Sequence, residues 1–207
     1  METIRAKMHR KTINKMETMK HIKNHKPVTK NQWSIVNHLI FRAYDIRGIA
    51  IGKNPDLTEK TMKLIGKGTG TYLQKNYGKN LVVGRDNRLT SEKLQKAFIE
   101  GLLETGCRVT NIGLSTSPMI YWATCALEFD AGINITASHN PKEYNGVKIV
   151  AKNAHSVCGD ELQKILAIVL KNKFTEGKGE KNSRKIEKEY IADLLLRAKL
   201  HKKLKIT

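Results

Sequence analysis

One stretch of the sequence, Thr136 to Pro141, places a serine, a histidine and an asparagine side by side in a loop. The hydroxyl of Ser138 could act as a nucleophile or carry a transferred group, and His139 could act as a base. A serine hydrolase needs a base that a carboxylate orients, and His139 is poorly placed because it follows the serine directly. The residue types alone also fit a plain turn serine whose hydroxyl bonds to the backbone.

Cationic side chains elsewhere in the sequence suit a phosphate group. Arg47 lies two residues after Asp45, and this pair could be a simple surface ion pair worth at most about 1 kcal/mol. Alternatively, Arg47 points into a phosphate site, because a guanidinium binds two phosphate oxygens at once. Arg85 ends a short apolar run, and Lys148 lies in another.

The serine loop must be held by the strands on either side of it. An apolar run over 131–136 enters the loop, and the Asn145-Gly146 pair predicts a tight turn into a second strand over 147–151. Apolar runs at 81–83 and 108–112 predict two more strands, and 41–48 reads as strand or loop. Helices are expected from Thr58 to Leu73, over 90–104, 115–127, 159–170 and 190–200.

Strands that alternate with helices predict an α/β fold with helices on both faces of a sheet, and an active edge where loops leave the strand ends. The glycines of 66–70 do not form a P-loop, because no strand precedes them and no Gly-Lys-Ser/Thr follows. Residues 33–40 could enter the domain as a short strand or a packed segment, 171–188 read as a mobile loop or linker, and 204–207 read as the start of a strand.

Three ordered blocks carry a resemblance to a known family. The segment 136–148, from Thr-Ala-Ser-His-Asn-Pro to Tyr-Asn-Gly-Val-Lys, resembles the phosphoserine loop of the α-D-phosphohexomutases. The block Phe41 to Gly48 resembles the N-terminal signature of their phosphomannomutase/phosphoglucomutase branch, and Val83 to Asp86 matches in place and spacing. The resemblance implies a three-layer α/β/α domain with a mixed sheet, the family's domain I, and isomerase activity on hexose phosphates.

The resemblance also implies roles for individual residues. Ser138 would carry a phosphoryl group, pass it to the sugar and take the other phosphate back from a bisphosphorylated intermediate. His139 and Asn140 would shape the site, and Arg47 and Lys148 would supply cations, with Lys148 a candidate for proton transfer. Two further positions, Tyr44 and Arg85, match substrate- or phosphate-binding positions.

The family's Mg²⁺ bridges the serine phosphate and an Asp-Gly-Asp-x-Asp-Arg loop that this sequence lacks. Only Ser138, through its phosphate, would be a metal ligand here, and hexose 1,6-bisphosphate would serve as activator. We therefore expect a truncated or split phosphohexomutase with little activity alone, and a complementing polypeptide as a possible partner. Mannose and glucose specificity is not decided by these residues.

The predicted organisation has three parts: a basic extension over 1–37, domain I over 38–172, and the entry to a second domain over 173–207. The net charge of +19 is concentrated in the flanks, with 9 Lys and Arg against 2 acids in 1–40, which predicts solvated tails more than a nucleic-acid site. A non-catalytic scaffold or nucleic-acid-binding relic is the alternative. Scattered cysteines and no apolar run of membrane-spanning length predict a cytoplasmic protein without a membrane anchor.

Overall fold

The structure is a computed structural model and describes residues 36–198. Predictions for 1–35 and 199–207, including most of the basic extension and the strand start at 204–207, lie outside these residues. The chain alternates strands with helices, as the sequence predicts. The strands are β1 Ile46–Ile49, β2 Asn80–Arg85, β3 Arg108–Leu114, β4 Ala131–Ile135, β5 Tyr144–Ala151, β6 His155–Ser156 and β7 Glu180–Ser183. The helices are α1 Glu59–Asn76, α2 Ser91–Glu104, α3 Ser117–Ala126, α4 Asp160–Lys171 and α5 Glu187–Arg197, with short 3₁₀ turns at His38–Ile40 and Lys152–Ala154.

The strands form one mixed sheet in the order β1-β5-β4-β2-β3-β7, with β6 paired to β5. The central pairs β4–β2 and β2–β3 and the edge pair β3–β7 are parallel, whereas β1–β5 and β5–β4 are antiparallel. The carboxyl ends of β2, β3 and β4 therefore meet at one edge of the sheet, where the loop with the candidate serine leaves β4.

Helices cover both faces of the sheet, so the predicted three-layer α/β/α arrangement with a mixed sheet is confirmed. Successive side chains of β2 alternate between the faces: Leu81 and Val83 pack in the larger core with α1, α2 and α4, and Val82 packs in the smaller core with α3. Tyr190 of α5 also packs against the smaller core, where its ring meets Trp122 edge-on at 5.6 Å.

Helix α1 begins where the sequence predicts. The Thr58 hydroxyl accepts a hydrogen bond from the amide of Thr61 at 3.1 Å, as an N-cap does. The glycines inside α1 do not interrupt the helix. They let helix α2 pack close against α1, because they have no Cβ atom at the contact. A Cβ at Gly66 would lie 2.3 Å from the Phe98 carbonyl oxygen, and one at Gly101 would lie 2.2 Å from the Lys63 carbonyl oxygen.

Two local predictions are wrong. The Asn145-Gly146 pair is not a turn but part of β5, where Gly146 pairs with Arg47 of β1. Glycine is needed there because a Cβ would lie 2.2 Å from the Ile46 carbonyl oxygen. Residues 180–183, predicted within a linker, form an edge strand parallel to β3, because backbone pairing alone holds this polar segment. The domain boundary at 172 stays a prediction.

Residues 38–40 form a 3₁₀ turn and not a strand, and Val36 and Ile40 are buried, so the described part of 33–40 is the packed segment that its apolar character also allowed. The Asn37 side chain caps the turn by accepting from the Leu39 amide at 3.0 Å. Between residues 36 and 198, no helix is both long and apolar enough to cross a membrane.

Candidate active site

The candidate serine lies at the tip of the loop between β4 and β5. Ser138 is exposed and has a positive φ of 57°, which is uncommon for a residue other than glycine. Its amide donates to the Thr136 hydroxyl at 2.9 Å, and the Asn140 amide donates to the Ala137 carbonyl at 3.1 Å. These short-range bonds turn the chain tightly, so that the Ser138 side chain stands out from the sheet edge.

His139 contacts the serine, but the pair does not form a hydrolytic triad. The Ser138 Oγ lies 3.3 Å from the His139 Nδ1, and both residues are exposed. In the part of the chain that the structure describes, no carboxylate forms a hydrogen bond with His139. Without a carboxylate to orient the imidazole, this arrangement does not support a serine hydrolase.

Arg47 reaches the loop from β1. One of its terminal nitrogens donates to the Asn140 Oδ1 at 2.6 Å, and the other donates to the Asp45 Oδ2 at 2.5 Å. The Arg47 side chain is 12% exposed, and its Nε is buried without a hydrogen-bond partner. The Asp45–Arg47 ion pair therefore exists, but it is buried beside the serine loop and is not the surface pair that the sequence also allowed.

Asp45 holds a second cation as well. Its Oδ2 accepts from the Lys148 Nζ at 2.9 Å, and the carboxylate is only 7% exposed. Lys148 comes from β5, the strand that follows the serine loop, and pairs in register with Asn134 of β4. A single buried carboxylate thus fixes cations from two paired strands, β1 and β5, and β5 directly follows the serine loop.

Tyr44 lies next to this cation pair and is 76% exposed. Together with Lys148 and Tyr121 it lines a cleft of about 160 Å³. An exposed aromatic ring with a phenolic hydroxyl beside a lysine is suited to contact a polar ligand, and the substrate-binding role of Tyr44 stays a prediction.

Arg85 is not joined to the serine loop. Its guanidinium donates to the Glu92 carboxylate at 3.0 Å and to the Asp86 carbonyl at 3.2 Å. The next arginine, Arg88, is bonded to the loop instead, through the carbonyl oxygens of Ser138 and Asn140 among others. The sequence analysis predicted no role for Arg88. The sequence feature that could have pointed to it is its position two residues after the Val83 to Asp86 block.

Buried polar contacts tie the start of β5, just after the serine loop, to the start of α2. The side-chain amide of Asn145, which is completely buried, donates to the hydroxyls of Thr90 and Ser91 at 2.9 Å each. Ser91 also donates to the Asp86 carboxylate. Because each of these donors has an acceptor, the network fixes β5 and α2 relative to each other.

The described residues do not assemble a metal site by themselves. Within 36–198 there is no group of three or more His, Cys, Asp or Glu side chains that could hold an ion. Two carboxylates that contact the cations of the site are already engaged, Asp45 by Arg47 and Lys148, and Asp86 by Arg88. In the part of the chain described here, Ser138 is thus the only predicted ligand position for a metal.

The fold and the site together define a three-layer α/β domain that presents a serine beside part-buried cations at the carboxyl edge of a mixed sheet. The family of phosphoglucomutase/phosphomannomutase, alpha/beta/alpha domain I, matches residues 38–176. The chain belongs to this family.

Individual relatives agree with this assignment. The chain is 39% identical over 160 residues to a phosphomannomutase from Vibrio cholerae, covering 75% of this chain and 34% of that protein. It is 44% identical over 135 residues to a phosphomannomutase from Klebsiella pneumoniae, covering 65% of this chain and 82% of that protein. The match thus spans about a third of the Vibrio cholerae relative's length.

A solved structure shows the same fold. A phosphoglucomutase/phosphomannomutase family protein from Burkholderia thailandensis superposes with a TM-score of 0.74 and 31% identity. The superposition covers 81% of this chain and 37% of that chain.

Proposed function

We propose that this chain is the phosphoryl-carrying domain of a phosphomannomutase/phosphoglucomutase, with Ser138 as the residue that bears the phosphoryl group. The observation that carries the proposal is the position of the Ser138 hydroxyl. It is exposed at the tip of a loop that Arg47 binds through Asn140, two residues away, at 2.6 Å. A part-buried arginine fixed to the loop is suited to stabilise a transferring phosphoryl group by positive charge.

The proposed reaction moves one phosphoryl group between oxygens. The bond between phosphorus and the Ser138 Oγ breaks while a bond forms between phosphorus and a hydroxyl oxygen of a hexose phosphate. Lys148, charged beside Asp45, is the candidate for proton transfer: it would give a proton to the departing Ser138 Oγ and take up the proton of the sugar hydroxyl, and the product is a hexose 1,6-bisphosphate. The other phosphoryl group then returns to Ser138, so that the phosphate has moved between C1 and C6.

The remaining site residues have supporting roles in this proposal. Arg47 and Lys148 face the charge of the phosphoryl group, and Asp45 keeps both cations in place. His139 and Asn140 shape the loop around the serine. Tyr44 lines the cleft next to Lys148 and would contact the sugar. Arg85 stays a predicted phosphate-binding residue, although its present partner is Glu92.

The resemblance adds Mg²⁺, which would be held through the Ser138 phosphate and would neutralise charge on it, and hexose 1,6-bisphosphate as activator. Mg²⁺ prefers near-octahedral oxygen ligation, and the described residues supply one position for it. They do not build this site unaided.

The proposal for the whole reaction extends beyond this domain. The curated relative from Vibrio cholerae is about three times as long as the matched part of this chain, and the sugar contacts are expected in its other regions. A complementing polypeptide is the proposed source of those contacts if the chain acts as one half of a split enzyme. A cytoplasmic location is proposed from the free thiols of Cys107, Cys125 and Cys158.

The test is phosphorylation of the full chain by glucose 1,6-bisphosphate and Mg²⁺, followed by intact-mass measurement and phosphopeptide mapping. We expect one phosphoryl group, located on Ser138 and missing in Ser138→Ala. Ser183→Ala, which changes an exposed serine in the edge strand β7, is the matched control and should still be phosphorylated. A folded chain that takes no phosphate, or takes it on another residue, would overturn the proposal.

A further inference from the structure

The guanidinium of Arg88 lies under the serine loop and binds it at four points. All four acceptors are backbone carbonyl oxygens, and all belong to the segment 138–144. The distances are 3.0 Å to Ser138, 2.7 Å to Asn140, 2.7 Å to Pro141 and 3.1 Å to Tyr144. One side chain therefore binds the carbonyl groups of four of the seven residues from 138 to 144.

Arg88 is itself held firmly. Its Nε donates to the Asp86 Oδ2 at 3.1 Å, and its own backbone amide donates to the Asp86 Oδ1, also at 3.1 Å. The Asp86 amide in turn donates to the Ile135 carbonyl at the end of β4 at 3.0 Å. With its side chain only 14% exposed, Arg88 is anchored to the same strand that delivers the loop.

These contacts determine which way the loop's peptide groups point. A trans peptide is planar, so its N–H points away from its C=O. Because the Ser138 carbonyl points at Arg88, the N–H of His139 points to the opposite side of the loop. The Ser138 amide is already bonded to Thr136, which leaves the His139 amide as the donor next to the serine hydroxyl.

We propose that Arg88 is the positioning residue for phosphoryl transfer at Ser138: by binding four carbonyl oxygens it sets the backbone so that the His139 amide faces a phosphoryl group on Ser138. This inference rests on the proposed function. Arg88 acts through the loop and does not touch the reacting atoms. A lysine at this position would keep the charge but has a single nitrogen, which cannot reproduce the spread of a planar guanidinium over four acceptors.

The test compares Arg88→Gln and Arg88→Lys with Arg184→Gln in the full chain. Arg184 is the control because its side chain forms an exposed ion pair with Glu189, at 2.7 Å, outside the site. Three quantities are measured: amide hydrogen exchange of peptides covering 137–146, the midpoint of thermal unfolding, and the rate of Ser138 phosphorylation at increasing hexose 1,6-bisphosphate.

For Arg88→Gln we expect faster exchange confined to the loop and a maximal phosphorylation rate about 100-fold lower, with the half-saturating donor concentration little changed. Arg88→Lys should recover stability but not the rate, and Arg184→Gln should match the wild type. A purely structural role predicts a different result, in which Arg88→Lys regains rate and stability in parallel; that result would overturn the proposal.

If Arg88→Gln does not fold, the test rests on Arg88→Lys. Normal amide hydrogen exchange in the loop and a normal rate of Ser138 phosphorylation in this variant would refute the inference. If the wild-type chain takes no phosphate, the proposed function fails and the inference about transfer fails with it. The exchange data then show whether Arg88 nevertheless orders the loop, so the two failures are distinguishable.

Discussion

The substitution Asp45→Asn tests whether one carboxylate holds the cationic side of the site together. A single oxygen of Asp45 accepts from Arg47 at 2.5 Å and from Lys148 at 2.9 Å, and the carboxylate is 7% exposed. Asparagine keeps the shape and removes the charge. It leaves Arg47, 12% exposed, and Lys148, 25% exposed, close together without a counter-charge.

The size of the effect follows from burial. Removing one partner of a buried ion pair costs about 3–5 kcal/mol, because the remaining charge stays buried and unpaired. Lys148 is a quarter exposed and can turn toward water, so we expect the lower end, about 3 kcal/mol in the free energy of unfolding. For a chain of this size, about 2–4 °C per kcal/mol corresponds to a melting temperature about 6–12 °C lower.

The assay is urea and thermal unfolding, followed by circular dichroism, with Glu189→Gln as the matched control. Glu189 forms an exposed ion pair with Arg184, and its loss should cost no more than about 1 kcal/mol. Adding Lys148→Met to Asp45→Asn removes one unpaired cation and should return about 1 kcal/mol or more. If Asp45→Asn costs no more than Glu189→Gln, the buried carboxylate does not organise these cations.

Two further predictions concern the domain that carries the site. Burial opposes ionisation of Glu161, but hydrogen bonds from Tyr77, His155 and Tyr72 outweigh it and hold the pKa of Glu161 below its usual 4.5. This contribution to stability is present above pH 4.5 and is lost as the pH falls through the lower folded pKa. Urea unfolding should therefore show a smaller loss of stability at acid pH for Glu161→Gln than for the wild type. Parallel curves of stability against pH for the two proteins would contradict this. Gly66→Ala should cost about 3 kcal/mol by thermal unfolding, because the Cβ would lie 2.3 Å from the Phe98 carbonyl oxygen. Gly159→Ala, with nothing within 4 Å of the Cβ but a φ of +54°, should cost only about 1–2 kcal/mol, and an equal or larger loss there would show that close helix packing is not the reason.

Most of the architecture could be predicted because its signals are local. The β2 and β4 strands are short apolar runs, and the α1 helix starts at a threonine cap, so each element is marked by its own residues. The β7 strand has no such mark: Glu180 to Ser183 is polar and fully exposed, and only its pairing with β3 makes it a strand. The Asn145-Gly146 pair misled for a related reason, because contact with β1, and not a turn, requires the glycine.

The resemblance named Ser138, Arg47 and Lys148 as site residues, and their roles stay predictions. The structure joins Arg47 to the serine loop through Asn140 and joins Arg47 to Lys148 through Asp45. Two connections were missed. Asp45 binds a lysine 103 residues away, and Arg88 binds carbonyl oxygens 50 or more residues away. Contacts to backbone oxygens are independent of side-chain type, so no sequence pattern at the loop could reveal Arg88.

The charges around the loop would suit a phosphoryl group that Ser138 both accepts and gives away. Arg47, Lys148 and Arg88 provide three cations, and Asp45 and Asp86 provide two carboxylates, so this cluster has an excess of one positive charge. A phosphoryl group on serine carries about −1.5 to −2 charges near neutral pH, which this excess attracts but does not fully neutralise. A cluster without the two carboxylates would bind the phosphoserine more tightly in its ground state and so oppose transfer, because only stabilisation that grows in the transition state speeds the reaction. If Ser138 carries a phosphoryl group as proposed, Asp45 and Asp86 would do more than hold the cations in place: they would also keep that group transferable.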